Sequence, residues 1–207
     1  MRRLLPLALG LACVLVVVLA LQNRALGRKQ SDLVLRTASP HPGLFVPTAS
    51  LRSLDGEHVT IGEPRPGGQQ ILFVFTTTCQ YCLASLPAWE SIATRARSTR
   101  PGVEVYGVSL DSVDATRQYV ATHSLSYPTV LFPPGKLPSL YRTRNVPLTM
   151  IIDADGRVAY ARVGMLSEQT VVDSVLAAMT QLSQESASIE RTSDRVASPP
   201  RTRSGAT

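Results

Sequence analysis

The sequence predicts an α/β fold with a central mixed β-sheet flanked by helices. Ile71–Phe75 and Val103–Leu110 are short, apolar and rich in β-branched and aromatic residues, which is typical of buried strands. Because a helix-like stretch joins them, we expect the two strands to pair in parallel through a right-handed crossover. Later in the chain, Asp155-Gly156 separates two apolar stretches and predicts an antiparallel hairpin. A sheet that contains both kinds of pairing is mixed.

The remaining elements follow from strand-like alternation and from helical spacing of the apolar residues. In chain order they are an N-terminal hairpin (Ala49–Leu54 and His58–Ile61), a helix (Leu83–Arg97), an inserted helix and strand (Asp111–His123 and Tyr127–Phe132), the distal hairpin (Asn145–Asp153 and Arg157–Gly164) and a closing helix (Val171–Met179). We assign them to one domain, residues 43–183, since 207 residues with 44% apolar content can bury one sizeable core.

The pair Cys79 and Cys82 is the strongest functional signal in the chain. Cys79 falls between the strand that ends at Phe75 and the following helix, where free backbone N–H groups and the helix dipole favour a thiolate over a thiol. Cys82 comes one helical turn later, close enough to attack a mixed disulfide formed at Cys79. This placement predicts a redox dithiol, with Cys79 as the exposed nucleophile and Cys82 as the resolving thiol.

Two other interpretations of the pair are a zinc site and two inert buried thiols. A structural zinc site needs four ligands, and the sequence has neither a second cysteine pair nor histidines at metal-binding spacing. We therefore expect no metal site. Free cysteines are often small core residues, so the inert interpretation stays open, although the strand–turn–helix setting favours a dithiol.

The net charge of +6 comes almost wholly from arginine, because Lys29 and Lys136 are the only lysines. A basic protein of this kind could bind nucleic acid. However, the basic residues are spread out, many of them in the two termini, and they form no stripe interleaved with aromatic residues. The sequence therefore does not predict a nucleic-acid partner.

Residues 1–22 have the pattern of a signal anchor, in which Arg2 and Arg3 precede an apolar run from Leu4 to Leu21. A helix of this length is close to the thickness of the hydrocarbon core of a bilayer. We therefore predict one N-terminal transmembrane helix, with a cleaved signal peptide as the alternative.

Two further segments differ from the domain in composition. Residues 23–42 are polar and predict a linker, and residues 184–207 are dominated by Ser, Thr, Arg and Pro, which predicts a disordered tail. Basic residues flank the apolar run on both sides, so charge alone does not orient the anchor. An anchored dithiol domain fits best on the oxidising, extracytoplasmic side of a cell membrane.

These features together resemble the thioredoxin superfamily, and within it the membrane-anchored TlpA/ResA-like thiol-disulfide oxidoreductases. The resemblance covers about residues 44–182. It rests on the CxxC at a strand–helix junction, on a late hairpin that begins with Val146-Pro147, and on the final helix. Pro87 matches the helix-kinking proline of the family, and the hairpin around Asp55-Gly56 and the inserted helix and strand resemble this branch. The resemblance implies a thioredoxin-like fold.

The resemblance also implies roles for residues around the dithiol. Pro147 is expected to follow a cis peptide bond, and the backbone of Val146 is then expected to pair with an extended substrate segment. Thr78 is expected to contact the substrate, and Gln80 and Tyr81 to tune the redox potential. The implied partners are protein thiols and disulfides and a membrane or extracytoplasmic electron donor. No cofactor is implied beyond the redox-active disulfide of the two cysteines.

Three positions depart from the family pattern. Thr78 stands where many relatives have tryptophan, Ser85 where a glutamate is common, and Phe73 where minimal thioredoxin has a buried acid. Trp89 comes too far along the helix to replace the missing tryptophan. The sequence thus lacks a carboxylate at the family's positions for proton handling, and it does not determine the direction of electron flow.

Three other functions are compatible with the same fold. A peroxiredoxin-like thiol peroxidase would share Thr76, three residues before Cys79, but Leu72 stands where its active-site proline belongs. A copper-delivery protein usually has C-x₃-C and a later histidine; His123 is available, but the spacing here is C-x₂-C. A non-catalytic binding module would keep the substrate-binding groove of the fold and bind a partner without catalysing disulfide exchange.

Overall fold

The computed structural model describes residues 15–24, 39–99, 102–166 and 172–180. The chain forms two compact units, Met1–Ser39 and Pro40–Thr207. In the first unit residues 15–24 are helical, whereas the rest of the predicted anchor (1–22), most of the predicted linker (23–42) and all of the predicted tail (184–207) lie outside the described residues. No helix within the described residues is long and apolar enough to cross a membrane.

A five-stranded sheet is the centre of the second unit, with the strand order β5-β4-β3-β6-β7. Its strands are β3 (Gln69–Phe75), β4 (Val103–Ser109), β5 (Thr129–Leu131), β6 (Leu148–Ile152) and β7 (Val158–Val163). β3 pairs in parallel with β4 and antiparallel with β6. β4 pairs in parallel with β5, and β6 pairs antiparallel with β7. The predicted mixed sheet is confirmed, and β3 is central and buried along its whole length.

The predicted N-terminal hairpin forms a separate two-stranded sheet, β1 (Ala49–Arg52) and β2 (His58–Ile61), with antiparallel pairing. Gly56 has a φ of 89°, a left-handed conformation that glycine adopts at little cost. The hairpin meets the main sheet at its β5 edge, where the Leu54 N–H donates to the Thr129 carbonyl at 2.9 Å.

Three helices connect the strands: α1 (Gln80–Thr99), α2 (Val113–His123) and α3 (Lys136–Leu140). α1 begins three residues before its predicted start, which brings Cys82 into its first turn. α2 begins two residues later than predicted because Ser112 is its N-cap and accepts a hydrogen bond from the Ala115 N–H. The short helix α3 was not predicted. Residues 172–180 are helical, as the closing apolar pattern predicts.

Two hydrophobic clusters lie on the two faces of the sheet, and β3 contributes alternate residues to each. Ile71, Phe73 and Phe75 belong to the cluster that contains residues of α1, Tyr119 of α2 and apolar residues of the helical segment 172–180. Leu72 and Val74 belong to the other cluster, beneath the β1–β2 hairpin and Tyr141. The dithiol belongs to the first cluster, since Cys82 is one of its buried members.

Candidate active site

The two cysteines lie where β3 gives way to α1. β3 ends at Phe75, four residues form a turn, and the first helical residue is Gln80. In that turn the Cys79 N–H donates to the Thr76 carbonyl at 3.3 Å, and the Cys79 carbonyl accepts from the Leu83 N–H at 3.1 Å. Cys79 thus precedes the first turn of the helix, where backbone N–H groups lack helical partners.

The two sulfurs have different surroundings. The sulfur of Cys79 accepts a hydrogen bond from the Cys82 N–H at 3.1 Å, and such a bond favours negative charge on that sulfur. Both cysteines are free thiols; Cys79 is half-buried, whereas Cys82 is fully buried. Burial, and after it the hydrogen bond to Cys79, raise the pKa of Cys82 to about 12. The Cys79 sulfur is therefore accessible and has a backbone donor, whereas the Cys82 sulfur is buried and keeps its proton.

Asp111, a residue with no role in the sequence-based site, lies next to this turn. It follows the end of β4, and its Oδ2 accepts from the Thr77 N–H at 2.5 Å and from the Thr77 Oγ1 hydroxyl at 2.7 Å. The parallel pairing of β3 and β4 could have revealed it, because parallel neighbours end at the same edge of a sheet. A carboxylate is therefore present beside the turn before Cys79, and it comes from the segment that follows β4.

Tyr119 of α2 is a second residue that the sequence reasoning missed. It is buried in the same cluster as Cys82, stacks on Phe75 with ring centroids 5.2 Å apart, and meets the His123 ring edge-on at 4.5 Å. Its hydroxyl has no hydrogen-bond partner among the described residues. Burial, with smaller contributions from Cys82 and Cys79, raises the pKa of Tyr119 to about 12. A cavity of about 260 Å³ lies beside it, lined by Thr77, Ala115, Gln118, Tyr119, Thr122 and His123.

The predicted cis bond is present between Val146 and Pro147. Pro147 is buried, and its carbonyl accepts from the Gly164 N–H at 2.8 Å. Val146 is half-buried and packs against the same cluster as Cys79. The fold therefore brings Val146, which is far from the dithiol in sequence, to the cluster that contains Cys82 and against which Cys79 packs.

The remaining site residues from the sequence lie at the surface beside Cys79. Thr78 and Gln80 are exposed, and Tyr81 is 56% exposed. Trp89 does not join them: it is fully buried and donates from Nε1 to the Thr149 hydroxyl at 2.9 Å.

At the two positions where the resemblance implies an acid, Phe73 packs against another ring and Ser85 forms hydrogen bonds. Phe73 stacks on Trp89, with ring centroids 5.2 Å apart. Ser85 is fully buried; its hydroxyl donates to the Tyr81 carbonyl at 2.8 Å and accepts from the Leu166 N–H at 3.1 Å. Within the described part of the chain, no group of three or more His, Cys, Asp or Glu side chains could hold a metal ion.

The mixed sheet and the dithiol at the start of α1 define a thiol-disulfide oxidoreductase of the thioredoxin superfamily. The family model described as the AhpC/TSA family matches residues 42–161, and the chain belongs to this family.

Known proteins similar to this chain are of the same class. Sporulation thiol-disulfide oxidoreductase A of Bacillus subtilis (strain 168) is 25% identical over 133 residues, which are 62% of this chain and 76% of that protein. Thiol-disulfide oxidoreductase ResA of Halalkalibacterium halodurans is 27% identical over 122 residues, 58% of this chain and 68% of that protein. The thioredoxin domain of a thiol-disulfide oxidoreductase from Bacteroides vulgatus shares the fold, with a TM-score of 0.55 and 16% identity over 67% of this chain and 98% of that domain.

Proposed function

We propose that this protein exchanges disulfides with protein substrates through Cys79 and Cys82. The observation that supports this most is the asymmetry of the pair: the half-buried Cys79 sulfur accepts an N–H hydrogen bond, and the Cys82 thiol is fully buried. Thiolates and not thiols attack disulfides. Cys79 is therefore the group that meets the substrate, and Cys82 acts after it.

In the reducing direction the exchange has two steps. The Cys79 thiolate attacks one sulfur of a substrate disulfide, an S–S bond forms between enzyme and substrate, and the other substrate sulfur leaves as a thiolate. Cys82 then gives up its proton and attacks the Cys79 sulfur, which releases the second substrate sulfur as a thiolate. The substrate gains two electrons, and the enzyme ends with a Cys79–Cys82 disulfide. The oxidising direction is the reverse.

Substrate recognition is proposed for the residues around Cys79. The backbone of Val146, next to Pro147, would pair with an extended substrate segment, in the manner of strand addition. Thr78 would contact the substrate from the turn, where it is exposed. Gln80 and Tyr81 stand between the two cysteines and would set the redox potential of the pair. No cofactor is needed for this chemistry.

We also propose that residues 1–22 anchor the domain to a cell membrane, with the dithiol on the extracytoplasmic side. The support is the apolar run from Leu4 to Leu21 and the basic residues before it. Electrons would come from, or go to, a partner on the same side of the membrane.

Insulin reduction by the full chain tests the assignment of the cysteines. Cys79→Ser should lower the rate to that of the uncatalysed reaction, because the attacking sulfur is gone. Cys82→Ser should accumulate a mixed disulfide with the substrate, since nothing resolves it. Cys13→Ser is the matched control and should react like the unmodified protein.

Two results would contradict the proposal. Insulin reduction that survives Cys79→Ser would show that another group is the nucleophile. Peroxide consumption far faster than disulfide exchange would favour the thiol peroxidase. The reduction potential against glutathione then decides the direction: a value near about −270 mV indicates a reductase, and one near about −120 mV an oxidant.

A further inference from the structure

The segment that leads to the cis peptide bond is basic. No acidic residue occurs between Asp114 and Asp153, a stretch that contains α3 and the bond itself. Its lysine and arginine residues are Arg117, Lys136, Arg142 and Arg144. Arg144 is the nearest of them in sequence to the cis bond, because it comes two residues before Val146, and it is exposed.

Arg144 lies at the end of the sheet that carries the dithiol. β6 runs antiparallel to β3, and its first residue, Leu148, pairs with Val74, the residue before the last of β3. The chain just before β6 is therefore beside the turn that follows β3 and contains Cys79. Because successive Cα atoms are about 3.8 Å apart, the Cα atom of Arg144 is within about 8 Å of that of Val146.

Hydrogen bonds fix the backbone on both sides of Arg144. Thr143 is fully buried, and its N–H and its hydroxyl both donate to the Pro138 carbonyl, at 2.9 Å and 3.1 Å. After Arg144, the Pro147 carbonyl accepts from the Gly164 N–H at 2.8 Å. The loop therefore presents the exposed Arg144 side chain from a fixed backbone.

Arg144 forms no salt bridge within the described residues. The two acids that follow β4, in contrast, both have partners. Asp111 Oδ2 accepts two hydrogen bonds from Thr77, and Asp114 lies 3.9 Å from Arg117. The guanidinium group of Arg144 is therefore available to a carboxylate of another molecule.

We propose that Arg144 is a specificity residue, which selects disulfide substrates with an acidic side chain beside the reacting cysteine. The inference rests on the proposed function, in which the backbone of Val146 pairs with an extended substrate segment. A carboxylate near the reacting sulfur is then within reach of Arg144, and guanidinium groups bind carboxylates through paired N–H donors. Such an exposed charge pair raises the rate of association, and salt weakens it.

The rate of mixed-disulfide formation at Cys79 tests this preference. The parent for the test is the full chain with Cys13→Ser and Cys82→Ser, in which Cys79 is the only cysteine. The probes are three peptides with glutamate, glutamine or lysine beside one cysteine, which is joined to 2-thiopyridine by a disulfide. The Cys79 thiolate attacks the peptide sulfur and breaks that disulfide. The pyridine thiolate leaves and takes up a proton, and the absorbance of the 2-thiopyridone gives the rate.

Each rate constant is divided by that of the same peptide with 2-mercaptoethanol, which corrects for the intrinsic reactivity of the peptide. We expect the glutamate peptide to react about threefold faster than the glutamine peptide, and the lysine peptide about threefold slower. These differences should be measurable at an ionic strength of about 0.1 M and should nearly vanish at about 1 M. Arg144→Gln should remove most of the difference, Arg144→Glu should reverse the order, and Arg144→Lys should keep it.

Arg157→Gln is the matched control, because it removes the same charge elsewhere. Arg157 is exposed and lies beyond the other end of β6, a five-residue strand about 17 Å long. This length exceeds the Debye length of about 10 Å at 0.1 M ionic strength. Glutamine also keeps a donor for the Gly43 carbonyl, to which Arg157 donates at 3.2 Å. The control should therefore keep the order of the three peptides.

Equal corrected rates for the three peptides would overturn the proposal, as would an order that persists in both Arg144→Gln and Arg144→Glu. The same loss of order in Arg157→Gln would also overturn it, because the net charge of the chain would then explain the preference. In these cases the peptides still react with Cys79, and the proposed function stands. If none of the three peptides reacts with Cys79, the proposed function is wrong, and the specificity assigned to Arg144 is wrong with it.

Discussion

At the scale of single residues, burial decides which groups keep their protons. Cys82 and Tyr119 belong to the same cluster, and burial is the first cause of the raised pKa of each. Burial also raises the pKa of Tyr127 and Tyr141. These three tyrosines and Cys82 are therefore alkali-titrating side chains that lie in the core of the domain.

The buried tyrosines predict a loss of stability in alkali. An unfolded tyrosine loses its proton near about pH 10, whereas Tyr119 in the folded chain keeps its proton to about pH 12. Above about pH 10 the unfolded state thus binds fewer protons than the folded state, and the free energy of unfolding should fall as the pH rises. Denaturant unfolding followed by the fluorescence of Trp89, the only tryptophan, measures the change.

Tyr127→Phe is the control for this pH dependence. The Tyr127 hydroxyl has no hydrogen-bond partner among the described residues, so its removal deletes one titrating group without breaking such a bond. The free energy of unfolding of Tyr127→Phe should therefore fall less steeply as the pH rises. A free energy of unfolding that stays constant between about pH 9 and about pH 11 would contradict the assignment.

At the scale of elements, Ser85 connects α1 to the segment after β7. Its hydroxyl accepts from the Leu166 N–H, and both groups are buried. Ser85→Ala would leave that N–H without its partner, and we expect the free energy of unfolding to fall by about 1–3 kcal/mol. Chemical denaturation of the reduced protein gives this value.

Ser98→Ala, at the exposed end of the same helix, is the matched control. Among the described residues its hydroxyl donates to the Arg95 carbonyl one turn earlier, so the change in the free energy of unfolding should stay within about 0.5 kcal/mol. Equal decreases in the free energy of unfolding of the two variants would show that the Ser85 hydroxyl does not stabilise the contact between α1 and the segment after β7.

Most elements could be predicted because each has a local periodicity, but their ends depend on contacts made elsewhere. β4 stops at Ser109 and not at Leu110, because Ser109 pairs with Phe75, the last residue of β3. α3 has five residues and contains a proline, too few and too irregular for an apolar pattern to reveal it. Periodicity therefore predicted the strands and the two longer helices, whereas the five-residue helix α3 was not predicted.

At the scale of the whole molecule, the proposed anchor makes a prediction about fractionation. The full chain should sediment with membranes, resist an alkaline carbonate wash and be released by detergent, because an apolar helix of this length partitions into lipid. A membrane-impermeant maleimide applied to intact cells should then label Cys79.

Recovery of the full chain in the wash would contradict the anchor. The mass of the mature protein distinguishes the cleaved signal peptide, since the residues of the apolar run would then be missing. Labelling of Cys79 only after lysis would instead place the dithiol on the cytoplasmic side.

By itself the sequence determined the dithiol, its place between a strand and a helix, and the mixed sheet, because these depend on local spacing and on apolar alternation. Only the tertiary structure decided what surrounds the sulfurs. Asp111 and Thr77 are 34 positions apart, and they meet because β3 and β4 pair in parallel and end together. Tyr119 reaches the same cluster because α2 packs on that face of the sheet. No local pattern contains such neighbours, since they arise when separate elements are packed side by side.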